Sequence, residues 1–167
     1  MLEAENDGNN YAAIALGLTL PDICGSIDQP GNGKSQQRYI AWWDAYPGAY
    51  FNELFSDPAD PGLISGVDAW ALRCAFLHSG QDRPSGSKPA KRVRFISERI
   101  GSAGSDAVNG VVYVAVDLFV RAVQRGVERW LADRSGDEDV GDRLQQLLQI
   151  MSPDEFYDLI IDAVAIN

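Results

Sequence analysis

A single histidine among 167 residues means that any imidazole chemistry in this chain passes through one ring, that of His78. Cysteine is nearly as scarce. Cys24 and Cys74 lack the CxxC spacing of a redox or metal motif, and with one histidine they cannot assemble the four nitrogen and sulfur ligands of a structural zinc site. No metal and no cofactor is expected, and both thiols should stay reduced in the core. Long hydrophobic runs are missing too: the longest, residues 11–20, stops at Pro21 and falls well short of the ~20 residues a bilayer demands. The N-terminus has no basic segment followed by an apolar stretch and a small-residue cleavage site. A soluble cytoplasmic protein with no membrane partner is the expectation.

Basic charge is in the minority, with 14 Lys and Arg against 24 Asp and Glu for a net charge of −10. That balance counts against broad, sequence-independent nucleic-acid binding, which relies on Lys and Arg displacing counterions. The distribution is uneven, however. Residues 81–100 carry Arg83, Lys88, Lys91, Arg92, Arg94 and Arg99 against only Asp82 and Glu98. Residues 133–162 are the reverse, strongly acidic, and read as a solvated face or a surface for a basic partner. With 46% hydrophobic residues the chain has enough apolar material for one globular domain spanning residues 1–167.

The periodicity is mainly helical. A first helix begins near Asn10, and Pro21 either ends it or starts a further turn. Ser35 caps a second over residues 36–46, where Tyr39, Ile40, Trp42 and Trp43 make a wide apolar surface, until Pro47-Gly48 stops it. Residues 56–62 form a turn-rich connection and residues 81–90 a polar loop. Arg92-Val-Arg-Phe-Ile96 alternates and Val111-Val-Tyr-Val-Ala-Val116 is β-branched, so either the two pair as a small hairpin across the loop of residues 101–110 or the second simply begins the next helix. Residues 117–133 are the clearest amphipathic helix, followed by two shorter ones over residues 140–150 and 154–165. The fold class is mainly α, a helical bundle with a small β-hairpin.

The chemistry concentrates in Leu63-Ile-Ser-Gly-Val-Asp-Ala-Trp-Ala-Leu-Arg-Cys-Ala-Phe-Leu-His-Ser-Gly80. Ser65 and Asp68 form a capping-box start and Gly80 a helix stop, which sets His78 in the last turn. At 100° per residue Trp70, Cys74 and Leu77 share a stripe, with Arg73 and His78 on either side of it, roughly 140° apart. Leu72 and Phe76 point the opposite way. A helix apolar on two faces needs two covers, so one face is expected to join its own bundle and the other a second copy in a two-fold dimer.

Arg73-Cys-Ala-Phe-Leu-His78 resembles the R-x4-6-H motif of the HEPN superfamily. Together with the stretches Ala15-Leu-Gly-Leu-Thr-Leu-Pro-Asp-Ile-Cys-Gly25 and Arg38-Tyr-Ile-Ala-Trp-Trp-Asp44, the segment from Leu63 to Gly80 also resembles a group of bacterial proteins sharing this pattern. The resemblance covers about half the chain. It implies a HEPN-like bundle, a homodimer and metal-independent cleavage of RNA in a bacterial stress, toxin–antitoxin or phage-defence system. A cognate antitoxin or other regulatory protein would be its partner. His78 would act as general base, a role that suits an imidazole titrating near neutral pH, and Arg73 would clamp the charge that develops on the phosphate. Lys91, Arg92 and Arg94 would bind the RNA backbone. Many active members carry a polar residue directly after the arginine, where this chain has Cys74.

Plainer readings stand beside this one. His78 can cap the end of its helix, and Arg73 can pair with Asp68 or Asp22. Gly31-Asn-Gly-Lys-Ser35 looks like part of a phosphate-binding loop but has Asp28 where that loop needs glycine. Trp42 and Trp43 fit core positions better than a stacking platform, and the spacing of Asp22 and Asp44 specifies no glycosidase pair. The rival function is a catalytically inactive, HEPN-like interaction or regulatory protein with an acidic partner-binding surface.

Overall fold

A computed structural model describes residues 1–31, 33–55, 63–82, 91–97, 103–106 and 109–148. The chain forms two units, Met1–Ser135 and Gly136–Asn167. In the first, helices α1 (Leu2–Asn6), α2 (Asn10–Asp28), α3 (Ser35–Ala45), α4 (Pro47–Leu54) and α5 (Gly66–Ser79) precede strands β1 (Arg92–Ile96), β2 (Ala103–Asp106) and β3 (Val111–Ala115), which lead into α6 (Val116–Asp133). The second unit contributes α7 (Glu138–Gln145), capped where the Asp137 carboxylate accepts from the Val140 amide at 3.1 Å. The helix expected over residues 154–165 lies outside the described residues. Among those described, no helix is long and apolar enough to cross a membrane.

Pro21 does not end α2, which runs on to Asp28. An internal proline removes one backbone bond and crowds the preceding turn, at a cost of about 3 kcal/mol. Burial outweighs it: Ala13, Ile14, Gly17, Leu18, Pro21 and Cys24 form one buried stripe, and each large aliphatic withdrawn from water returns roughly 1.5–3 kcal/mol. Pro47 ends α3 but also begins α4, since a proline at the first helical position gives up only a donor that had no partner there.

The aromatic residues of α3 make the centre of the core. Trp43 is fully buried, packs at ring-centroid distances of 6.4 Å from Tyr39, 6.4 Å from Phe51 and 6.2 Å from Phe119, and donates its indole N–H to the Ile64 carbonyl at 2.9 Å. At the far end of the unit the Asp28 carboxylate accepts from the Trp130 indole at 3.0 Å and from the Arg134 guanidinium, joining the ends of α2 and α6.

The expected pairing of Arg92–Ile96 with the valine-rich strand as a hairpin is wrong in direction. The two strands pair in parallel, Arg92 opposite Val111 and Ile96 opposite Ala115. A third strand, β2, pairs antiparallel with β3, giving the order β1-β3-β2. The tight turn lies later than the hairpin reading required. The Asp106 carboxylate accepts from the Asn109 amide at 3.2 Å, and Gly110 has φ 62°, so Asn109-Gly110 is the hairpin signal and serves β2 and β3. Only the other edge of β3 then remains for β1. β3 is buried along most of its length, as a central strand covered on both faces must be.

The start of α5 is packed closely against α3. A Cβ on Gly66 would lie 2.6 Å from the Ile40 carbonyl oxygen and 2.9 Å from the Asp44 carboxylate, which accepts the Gly66 amide at 2.6 Å. Gly66→Ala should therefore lower stability by about 1–3 kcal/mol, the usual cost of overpacking against backbone. Urea unfolding with an unchanged m-value is the measurement.

Candidate functional site

The position of α5 follows from its caps. Ser65 accepts the Asp68 amide at 3.2 Å and Asp68 accepts the Ser65 amide at 3.0 Å, while Gly80 closes the helix in the left-handed conformation with φ 63°. Ala69, Leu72 and Ala75 form the buried face. The opposite stripe is only partly covered within the chain: Trp70 meets the edge of Tyr39 at 5.3 Å, whereas Val67 and Leu77 stay 43% and 38% exposed.

Arg73 and His78 come together despite their angular separation on the helix. The Arg73 guanidinium spans the gap, and its Nη1 lies 3.4 Å from His78 Nε2. Because a guanidinium only donates, this contact is a hydrogen bond in the tautomer that turns the Nε2 lone pair toward it. The other side of the guanidinium is anchored, with Nε donating to Asp22 Oδ2 at 2.8 Å across α2. The Trp70 ring lies 5.3 Å from the guanidinium carbon, within cation–π range. Burial works against the Arg73 charge, but the carboxylate of Asp22 and the neighbouring Cys74 more than offset it and leave its pKa raised. The arginine is held charged with one face aimed at the imidazole.

Tyr39 lies beneath this pair. Its side chain is fully buried, and its hydroxyl has no hydrogen-bond partner among the described residues. Burial pushes its pKa well up, Asp22 and Cys74 push the same way, and Arg73 opposes them in part. The sequence presented Tyr39 only as part of an apolar surface; a phenol on the same helix as two core tryptophans carried no sign that it would underlie a charged pair. Asp22 was one of two candidate carboxylates for Arg73. Asp68, the other, is fully engaged at the helix cap and accepts the Lys91 amide at 2.7 Å.

The three residues expected to bind RNA lie at and before β1. Lys91 is tied through its backbone to Asp68. Arg92 makes a two-point contact with Asp82, at 2.7 and 2.9 Å, and Arg94 Nε lies 3.6 Å from the same carboxylate. The Arg92 hydrogen bond, followed by the Arg92 and Arg94 charges, holds the Asp82 pKa below the ordinary carboxylate value. Arg92 and Arg94 thus share one anion. The basic residues between Asp82 and Lys91 lie outside the described residues. Among the described residues no group of three His, Cys, Asp or Glu side chains is arranged to hold a metal ion.

No family model matches the chain, and no curated protein or solved structure matches it either.

The two cysteines differ sharply. Cys24 is buried, and desolvation, the largest influence, pushes its thiol up to about 12, whereas Cys74 is only half-buried beside Arg73. Because the thiolate is the reactive species, iodoacetamide at pH 8 should label Cys74 in the folded protein and Cys24 only after unfolding. Mass spectrometry of the alkylated peptides reads this out, and equal labelling would mean that α2 does not bury Cys24.

Proposed function

We propose that this chain is a metal-independent, endoribonuclease-like protein of the HEPN kind, a helical bundle acting as a homodimer in a bacterial stress, toxin–antitoxin or phage-defence system. The observation that supports it most is the 3.4 Å approach of Arg73 Nη1 to His78 Nε2, with Asp22 holding the guanidinium from behind. In this reading the neutral imidazole takes the proton of a ribose 2′-hydroxyl. The 2′-oxygen attacks the adjacent phosphorus, and Arg73 donates to the non-bridging oxygens as they gain charge. The bond to the 5′-oxygen breaks, leaving a 2′,3′-cyclic phosphate and, once that oxygen is protonated, a 5′-hydroxyl. Arg92 and Arg94 would contact the flanking backbone once RNA displaces or shares Asp82.

A second reading has its own support. The Arg73 side chain is only 23% exposed and already neutralised by Asp22, as a structural ion pair would be. On that reading the protein is a catalytically inactive interaction or regulatory partner.

Cleavage decides between them. His78→Ala and Arg73→Ala should each slow cleavage of labelled RNA in EDTA by on the order of 10²-fold or more, and Arg73→Lys should restore only part of the loss because an ammonium cannot make a planar two-point contact. An inactive parent, or a His78→Ala variant as fast as the parent, favours the interaction protein.

The exposed stripe of Val67 and Leu77 beside Trp70 supports the dimer. Light scattering at high micromolar concentration should give twice the chain mass, and Val67→Glu with Leu77→Glu should return it to the monomer. A monomeric parent removes the dimer from the proposal.

A further inference from the structure

A groove of about 510 Å³ opens beside the last turn of α5, on the side away from Trp70. Its depth is apolar, reaching the buried side chains of Ile14, Leu72 and Val116. Its walls are aromatic. Tyr11 from α2 stacks on Phe76 from α5 with centroids 6.3 Å apart and planes 15° from parallel, and Phe95 faces the same groove from β1. Tyr11 is 78% exposed, an unusual cost for a ring whose other side is already stacked. Its outer face is presented to whatever enters.

The rim is polar. Asn10 and Gln81 bring side-chain amides, and Arg94 brings a half-exposed guanidinium 3.6 Å from Asp82, which also lines the groove and whose carboxylate a phosphate would have to displace or share. The edge of the sheet adds backbone groups. The Arg92 amide bonds to the Gly110 carbonyl at 2.9 Å, so in this parallel ladder the amides of Val93 and Phe95 turn away from β3, toward the outer edge that lines the groove. An aromatic wall, amides at the rim and an arginine at the mouth suit a nucleobase with its phosphate. The groove lies on the Leu72 and Phe76 face of α5 and His78 on the opposite one, so an RNA strand joining them would pass around the end of the helix at Gly80 and Gln81.

We infer that this groove is a base-binding subsite for one nucleotide of single-stranded RNA, stacking its base on the Tyr11–Phe76 pair with its phosphate at Arg94. The inference rests on the RNA-cleaving reading of Arg73 and His78, and it adds the substrate's strandedness and the residues that seat it. The volume admits one nucleotide, and a double helix would hold its bases out of reach.

The test uses the full chain and a fluorescein-labelled tetranucleotide whose 2′-O-methyl groups prevent attack. Anisotropy should show binding that Tyr11→Ala weakens at least about tenfold, in keeping with the loss of one base-stacking contact, and that Arg94→Gln weakens with a shallower salt dependence. Tyr11 is exposed enough that its removal should leave the fold intact, which circular dichroism checks. His78→Ala should bind as the parent does. Equal binding by parent and Tyr11→Ala, or free mononucleotides binding as tightly as the tetranucleotide, would overturn the subsite. The two failures are distinguishable. Retained Tyr11-dependent binding without cleavage leaves the groove and removes the dyad, whereas His78-dependent cleavage that Tyr11→Ala does not slow at low RNA concentration leaves the dyad and removes the groove.

Discussion

The Asp68 carboxylate joins the two parts of the chain that make the site. It is the one charged side chain buried among the described residues, at 5% exposure, and it accepts from the Ser65 amide, the Ser65 hydroxyl and the Lys91 amide at 3.0, 2.6 and 2.7 Å. An ionised carboxylate taken from water costs several kcal/mol unless its oxygens are satisfied. Three donors on two oxygens meet that demand, and each is a group that must also be satisfied for its own element to exist. Ser65 starts α5 and Lys91 starts β1. One anion therefore fixes where the helix bearing Arg73 and His78 begins and where the strand bearing Arg92 and Arg94 begins.

A second carboxylate governs what the helix presents. Without Asp22, Arg73 would carry an uncompensated charge over the Tyr39 and Trp70 rings, and its long side chain would be free to extend into solvent. With Asp22 on Nε, the remaining nitrogens are directed past Cys74 toward His78. The same partner limits the arginine. A guanidinium already neutralised attracts a phosphate less strongly over distance, but it loses little freedom when the phosphate arrives, because its geometry is set beforehand. Positioning by an acid trades long-range attraction for short-range alignment.

The parts legible from sequence were those with local rules. Ser65, Asp68 and Gly80 bound α5 as their capping chemistry demands, and the amphipathic stripe of α6 found its limits within a residue. The sequence left Pro21 open between ending the helix and starting a further turn, because the tertiary gain that carries α2 on to Asp28 is contained in no window of sequence. The hairpin reading failed for a related reason: the alternation of Arg92–Ile96 and the β-branching of Val111–Ala115 identify strands but carry no information on direction, and Ala103-Gly-Ser-Asp106 has too little side chain to announce a strand. In the site, the spacing of Arg73 and His78 was legible, and their contact was not, because the angle between them on the helix suggested separation. Only the reach of arginine and its anchor on Asp22, from a different helix, close that gap.

If the substrate is RNA, as proposed, a net charge of −10 must be reconciled with a polyanion. Charges act through solvent over a screening length of about 8–10 Å at physiological salt, so net charge alone says little about the field at β1. Among the described residues, the charges at β1 are Lys91, Arg92 and Arg94 against Asp82. Counterion release from so few contacts is small. Affinity must then come from interactions that salt does not weaken, and the exposed face of Tyr11, the apolar depth of the groove and the outward amides of β1 are of that kind. On the proposed reading, acidic surface would repel nucleic acid that fails to reach the groove, and stacking in place of charge would favour single strands over duplexes. The arrangement that makes this chain a poor general nucleic-acid binder is the one that would make it a selective one.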